Sequence, residues 1–266
     1  MKLGFEQKGI LGLATLSVVY WVFAAVVSHN AASSWGFYTQ IPLCVIPLLA
    51  GIIGLFKSAG WGGFKSRVGT AVLLCSMALM LFGIGMTIWT SMIVAGMTLP
   101  YPSYADYIIV ACMACWIVGL LVLGSVIGMT DDLRRFRGRV KAALILGLSL
   151  GIGYVVQVVV TGKDIPTYLQ ASSYGVFDVI YNFLNLIIIA IVAVAYVLSK
   201  RYLGGRYKSA ILWIFGGMVV HYFGVIYFMH AVNTMTYFNG HLADLCYLVG
   251  LSLEGLGVIS ISAQLE

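Results

Sequence analysis

The stretch Lys208-Ser-Ala-Ile-Leu-Trp-Ile-Phe-Gly-Gly-Met-Val-Val-His221-Tyr-Phe-Gly-Val-Ile-Tyr-Phe-Met-His230-Ala-Val-Asn233 opens on one lysine and then runs to its end without another Asp, Glu, Lys or Arg. Wound as a helix at about 1.5 Å per residue, it is longer than the roughly 30 Å hydrocarbon core of a bilayer. A polar turn follows, Asn233-Thr-Met-Thr-Tyr-Phe-Asn-Gly-His241, and a second apolar run returns to about Ser262. The pair reads as a hairpin of two membrane-crossing helices. It carries His221, Asp244 and Glu254, three of the few ionisable groups that the chain places inside apolar runs.

Working outward, the rest of the chain has the same character. A composition of 61% hydrophobic and 9% charged residues, with mean hydropathy +1.01, excludes a water-soluble domain of 266 residues. The runs are continuously apolar, whereas an outer-membrane barrel needs alternating strands of about ten residues. Eight spans are expected, at about 9–28, 37–56, 68–98, 104–129, 139–161, 173–199, 208–232 and 241–262. The first run follows Lys2 and Lys8 as a signal peptide would, but its length suits an uncleaved anchor. Pro42 and Pro47 are expected to kink or interrupt the second helix.

Fourteen of the fifteen basic residues fall in connections on one side; only Lys163 falls on the other. By the bias of basic residues toward the cytoplasm, both termini are expected there, in an inner membrane. Membrane lipids account for the positive charge, so no nucleic-acid partner is implied. The five cysteines lie in or near spans and suggest no disulfide framework; Cys112-Met-Ala-Cys115 reads as small apolar residues in a helix. Gly124 with Gly128 and Gly147 with Gly151 have the spacing that lets helices approach closely, here within one chain, with a homodimer as the alternative.

The hairpin from about Arg67 to Gly128 has the layout of the closing one. Its turn, Leu99-Pro-Tyr-Pro-Ser103, precedes Ala105-Asp106, which matches Ala243-Asp244 at a shift of about 138 residues; the same shift pairs Gly119 with Gly257 and Gln40 with Asp178. The fold expected is all-α, a polytopic helical membrane protein with eight transmembrane helices as two parallel four-helix repeats, 1–136 and 137–266. Their axis would run along the membrane normal, with the deepest cleft between them.

Asp178, Asn182 and Asn185 fall at i, i+4 and i+7, on one face of the sixth span. Such groups are costly in hydrocarbon, so the stripe is expected to face the bundle interior, with Gln157 at similar depth. It serves either as an interhelical hydrogen-bond cluster or as the wall of a ligand cavity. The candidate site is an outward-opening cavity formed by Gln40, Asp106, Asp178, Asn182, Asn185, Asp244 and Tyr247, suited to a small polar or lipid-like molecule such as a quinone-like head group. His29 and Asn30 at the end of the first span suit an interfacial role. His221, roughly 20 Å in from Lys208, and Glu254, roughly 15 Å in from Asp244, meet in depth near the midplane. In contact they would either share a proton as a pH-responsive pair or serve only as a satisfied buried pair that orders the hairpin.

Leu99-Pro-Tyr-Pro-Ser-Tyr-Ala-Asp106-Tyr, Phe177-Asp178-Val-Ile-Tyr181, Arg201-Tyr-Leu-Gly-Gly205 and Tyr237-Phe-Asn-Gly-His-Leu-Ala-Asp244-Leu resemble segments of the multi-spanning input regions of prokaryotic sensor proteins. Those regions precede histidine kinase, PAS or GGDEF modules. The resemblance implies detection of a signal within or outside the membrane and its transfer to cytoplasmic machinery. The residues up to Glu266 contain no output module, so the resemblance implies a sensor-like protein working alone or with a cytoplasmic signalling partner, or a piece of a longer parent protein.

Other classes fit less well. No lysine lies inside a span to carry retinal. His221 and His230 are about 13 Å apart along one helix and would not share one haem iron, which leaves haem only with a different second ligand. A metal-dependent hydrolase would need His230, His241, Asp106 and Asp244 to gather, without any HExxH motif to announce it; no catalytic residues are expected. A small, proton-coupled secondary transporter is the strongest alternative to a sensor-like ligand-binding module.

Overall fold

The computed structural model describes residues 4–27, 34–97, 102–171, 175–199 and 207–262. His29, Asn30, residues 99–101 and residues 201–205, which entered the sequence reading, lie outside them, as do Lys2 and Lys200. Among the described residues all regular structure is helical. The long helices are α1 (Phe5–Val27), α3 (Gln40–Gly60), α4 (Arg67–Val94), α5 (Tyr104–Val126), α7 (Phe136–Thr161), α9 (Gly175–Leu198), α10 (Lys208–Asn233) and α11 (Leu242–Ser262). Three short α-helices lie between them, α2 (Ser34–Tyr38), α6 (Met129–Leu133) and α8 (Ile165–Ala171), and a 3-10 turn (Gly63–Lys65) precedes α4. The eight long helices are each long and apolar enough to cross a membrane, and the chain is an all-α polytopic membrane protein.

The helix ends follow local chemistry. Ser66 caps α4 by accepting a hydrogen bond from Gly69 N at 2.9 Å. Gly128, at φ 87°, ends the fourth span and turns the chain into α6. Gly124 packs against Met129 of that same short helix, so the nearest neighbour of this glycine pair is the turn that follows it. Gly147 and Gly151 on α7 face open space, in contrast to the expected packing within the chain. The second span is not interrupted by its prolines. Pro42 sits in the first turn of α3, where the missing N–H is unpaired in any helix, and the helix continues through Pro47.

Packing grades from the centre outward. Two thirds of the apolar stretch of α11 is buried, against 17% for α7 and 22% for α1, so α11 is the central helix and the other two lie at the periphery. Helix α11 packs on α10, α3, α1 and α4, while α9 packs on α7, α10 and α5. Lys57 Nζ lies 2.5 Å from Glu6 Oε2, and Gln7 Nε2 donates to Ser260 Oγ at 2.7 Å. These contacts bring the start of α1 and the ends of α3 and α11 to one end of the bundle. In that half Leu79, Ile211, Ile214, Val258, Ile259 and Ile261 are fully buried, and the interior is filled by apolar side chains.

Candidate functional site

The opposite half of the bundle is hollow. Between α4, α5, α9, α10 and α11 lies a cavity of about 120 Å³. Asp106, Asp178, Asn185, His221, Asp244 and Tyr247 contribute its polar and amphipathic groups, and the remaining wall is apolar, aromatic or methionine. Gln40 and Asn182 are not part of the wall; both are fully buried behind it.

Asp106 and Asp244 each occupy the first turn of their helix, where a carboxylate suits the unpaired amides. Asp106 Oδ2 accepts from Ser103 N at 2.6 Å and from Ser103 Oγ at 2.7 Å. Tyr181 of α9 donates its hydroxyl to Asp106 Oδ1 at 2.9 Å. Asp244 Oδ2 accepts from Gly240 N at 2.7 Å and from Gln40 Nε2 of α3 at 2.8 Å, and Oδ1 accepts from the Tyr237 hydroxyl at 3.1 Å. Burial, and then the charge of Asp244, push the Tyr237 phenol well above its ordinary value, so it keeps the proton that it donates. Each aspartate therefore ties the start of its own helix to a helix from the other half of the chain.

The three polar residues of α9 divide their work. Tyr168 of α8 donates its hydroxyl to Asp178 Oδ2. Its phenol is raised by burial and by the Asp178 carboxylate. Asn182 Nδ2 donates to Gly153 O at 2.8 Å and Gln157 Oε1 at 3.2 Å, and Asn182 Oδ1 accepts from the Tyr222 hydroxyl at 2.7 Å. Asn182 is therefore the centre of a hydrogen-bond cluster joining α7, α9 and α10. Asn185 Nδ2 donates to Tyr181 O on its own helix at 2.8 Å, and its side chain reaches the cavity.

Beneath the cavity His221 Nδ1 lies 3.0 Å from Glu254 Oε1, across the seam of α10 and α11. Gly217 and Gly250 permit that approach. A Cβ on Gly217 would lie 2.8 Å from both Glu254 N and Gly250 O, and one on Gly250 would lie 2.8 Å from His221 N. His221 is held edge-on between Phe82, at 5.4 Å, and Tyr247, at 5.1 Å between ring centroids. Glu254 is fully buried, and its Oε2 has no hydrogen-bond partner among the described residues.

Sequence reasoning did not single out Tyr181 and Tyr237 as site residues, nor the aromatic wall that includes Trp89 and Phe228. Tyr181 follows Asp178 by three residues on the same face, and that spacing was the signal available. His230, His241, Asp106 and Asp244 form no metal-holding group; among the described residues no cluster of three His, Cys, Asp or Glu could hold a metal ion. Compared with known proteins, the chain matches no family model, no curated protein and no solved structure.

Proposed function

We propose that this chain is a membrane-embedded, sensor-like ligand-binding module. A small or lipid-like molecule occupies the cavity, and its presence is passed to a cytoplasmic partner at the basic end of the bundle. The observation that carries the reading is the contrast between the two halves of the bundle: one holds a cavity with carboxylates in its wall, the other is filled with buried aliphatic side chains. Such an arrangement favours binding over passage, which is why a sensor is preferred to a transporter. His221 and Glu254, directly under the cavity, form a proton-responsive pair that couples occupancy to the α10–α11 seam.

In this reading the basic end faces the cytoplasm, with both termini, and the cavity opens outward from an inner membrane. A cysteine at position 163 is then labelled from outside and one at position 135 is not; equal labelling from outside would overturn the orientation.

The halves 1–136 and 137–266 are, in the same proposal, parallel repeats. Matched close approaches support it: a Cβ on Gly85 would lie 3.3 Å from Ala105 O, and one on Gly224 would lie 3.2 Å from Ala243 O. Gly119 meets Cys75 as Gly257 meets Ile214. Phe82 and His221, at matched positions, touch each other, as expected beside an axis relating the halves. The cavity then lies on that axis, lined by such matched pairs as Asp106 and Asp244 or Trp89 and Phe228.

Native mass spectrometry of protein extracted in mild detergent tests the function. A co-purifying small molecule, displaced when Ile188→Trp fills the cavity, is the expected result. In proteoliposomes such a ligand should bind without net flux; measurable uptake would replace the sensor reading with a transporter.

A further inference from the structure

We propose that the occupant of the cavity is a small amphipathic organic cation, an ammonium head on an apolar body about the size of one aromatic ring. The inference deepens the reading above and rests on the cavity being a ligand site.

Charge is the first argument. Among the described residues the wall includes the carboxylates of Asp106 on α5 and Asp244 on α11 and no Lys or Arg. Asp106 and Asp244 have no basic partner among the described residues, whose ion pairs are Lys57–Glu6, Arg135–Asp132 and His221–Glu254. The one imidazole in the wall, His221, is already turned to Glu254 through Nδ1. Asp106 and Asp244 therefore offer negative charge in an apolar surrounding with no basic side chain paired to them among the described residues, and charge balance there favours a cationic guest.

The hydrogen-bond inventory points the same way. A carboxylate has about four lone-pair sites. Asp106 fills three of them with neutral donors from the protein and keeps acceptor capacity, and Asp244 is held in place by neutral donors as well. The hydroxyl protons of Tyr181 and Tyr237 are already directed at those carboxylates. What the wall can still offer is mainly acceptors, so a ligand that brings N–H donors is served better than a carbonyl or quinone oxygen that needs them.

The apolar wall fits the rest of such a molecule. Tyr237 stands between Trp89 and Phe228, with ring centroids 6.4 and 4.9 Å away, next to Asp244. Aromatic faces within about 6 Å attract a cation, and here they do so beside a carboxylate. A volume of about 120 Å³ is near the ~150 Å³ of an engineered cavity that takes up benzene. A single ring with a short ammonium arm is the scale implied.

The test uses the full chain in nanodiscs of uncharged phosphatidylcholine and three probes of one shape: benzylammonium, its neutral isostere ethylbenzene, and the anion phenylacetate. Calorimetric titration is expected to give benzylammonium an affinity at least about tenfold above ethylbenzene, with no binding of phenylacetate. Asp244→Asn and Asp106→Asn are each expected to weaken benzylammonium about tenfold or more, and by a larger factor than they change ethylbenzene. The wild-type comparison needs no variant to fold. Equal affinity for benzylammonium and ethylbenzene overturns the cationic ligand and keeps the cavity as a binding site. Failure of all three probes to bind, together with no effect of Ile188→Trp on any co-purifying species, overturns both.

Discussion

His221 Nδ1 and Glu254 Oε1 lie 3.0 Å apart at the floor of the cavity, and the helices that carry them meet there through two glycines, Gly217 and Gly250. An ionisable pair taken out of water is maintained only by its mutual hydrogen bond and charge. The two side chains are hydrogen-bonded across a seam that the cavity adjoins, so a change in the cavity's occupancy acts next to this contact.

Truncating one member of the pair separates its structural role from a merely polar one. A single interhelical hydrogen bond in a membrane protein is worth about 0.6 kcal/mol on average. A buried polar group left without its hydrogen-bond partner costs about 1–3 kcal/mol. Glu254→Gln keeps a side chain that can hydrogen-bond the imidazole and is therefore expected to lower stability by about 1 kcal/mol or less. Glu254→Leu leaves His221 Nδ1 without that partner and is expected to cost about 1–3 kcal/mol more than the Gln variant. Thermal unfolding in detergent checks this, and equal losses in the two variants would mean that the hydrogen bond to His221 adds nothing to stability.

Asp244 is the knot that joins α3, the 234–241 turn and α11, through Gln40, Tyr237 and Gly240. Hydrogen bonds to a charged acceptor contribute about 1.5–3 kcal/mol each, and those of one carboxylate are not additive. Asp244→Ala is expected to destabilise by about 2–4 kcal/mol, with faster proteolysis in the turn. A double-mutant cycle of Gln40→Leu with Asp244→Ala should show a coupling of about 1 kcal/mol or more; a coupling near zero would make Gln40 a bystander.

The bilayer made much of this fold readable. A spanning helix must be long, apolar and internally hydrogen-bonded, so the eight runs announce themselves and their ends fall within a few residues of the structural ones. The site was readable only in part, because spacing assigns a residue to a face of its helix and leaves open which neighbour covers that face. Asp178 and Asn185 reach the cavity, whereas Asn182, between them on the same helix, is held by Gly153, Gln157 and Tyr222. Gln40 is likewise absorbed by Asp244. Tyrosine hydroxyls went unnoticed because a tyrosine in an apolar run looks like any packing residue until a carboxylate stands at its tip, as with Tyr181 and Asp106. Glycine spacing misled for the same reason: Gly147 and Gly151 have the pattern of a packed interface and face open space, while Gly217 and Gly250, on different helices, make the close contact.

That distinction among glycines is itself testable. A methyl group on Gly217 would meet Glu254 N and Gly250 O at 2.8 Å, and backbone cannot yield as a side chain does. Gly217→Ala is expected to force α10 from α11 and to destabilise by about 1–3 kcal/mol. Gly147→Ala meets nothing within 4 Å and should instead stabilise by about 0.5–1 kcal/mol through helix propensity. Unfolding midpoints that move the same way in both variants would contradict the packing of this hairpin.

His241, at the turn between α10 and α11, gives the pH dependence its sign. Its Nδ1 accepts a hydrogen bond from Ala243 N at 3.2 Å, which only an imidazole unprotonated at Nδ1 can do. Burial, and then the proximity of His230, hold its pKa below the ordinary histidine value. Tyr237 and Phe238 pack their rings against the imidazole, tilted and edge-to-face, and neither supplies a carboxylate to offset a proton. The folded chain thus holds this proton less tightly than the unfolded chain, whose histidine titrates near 6.5. The contribution of His241 to stability is full above about pH 6.5, declines as pH falls toward the lowered folded value, and is constant below it. His241→Asn keeps an acceptor two residues before Ala243 N and removes the titration. Between about pH 7.5 and pH 5, wild-type protein is therefore expected to lose more of its unfolding midpoint than His241→Asn. Parallel pH profiles for the two proteins would show that the imidazole binds its proton equally in the folded and unfolded states, and the turn would then be no part of the pH response.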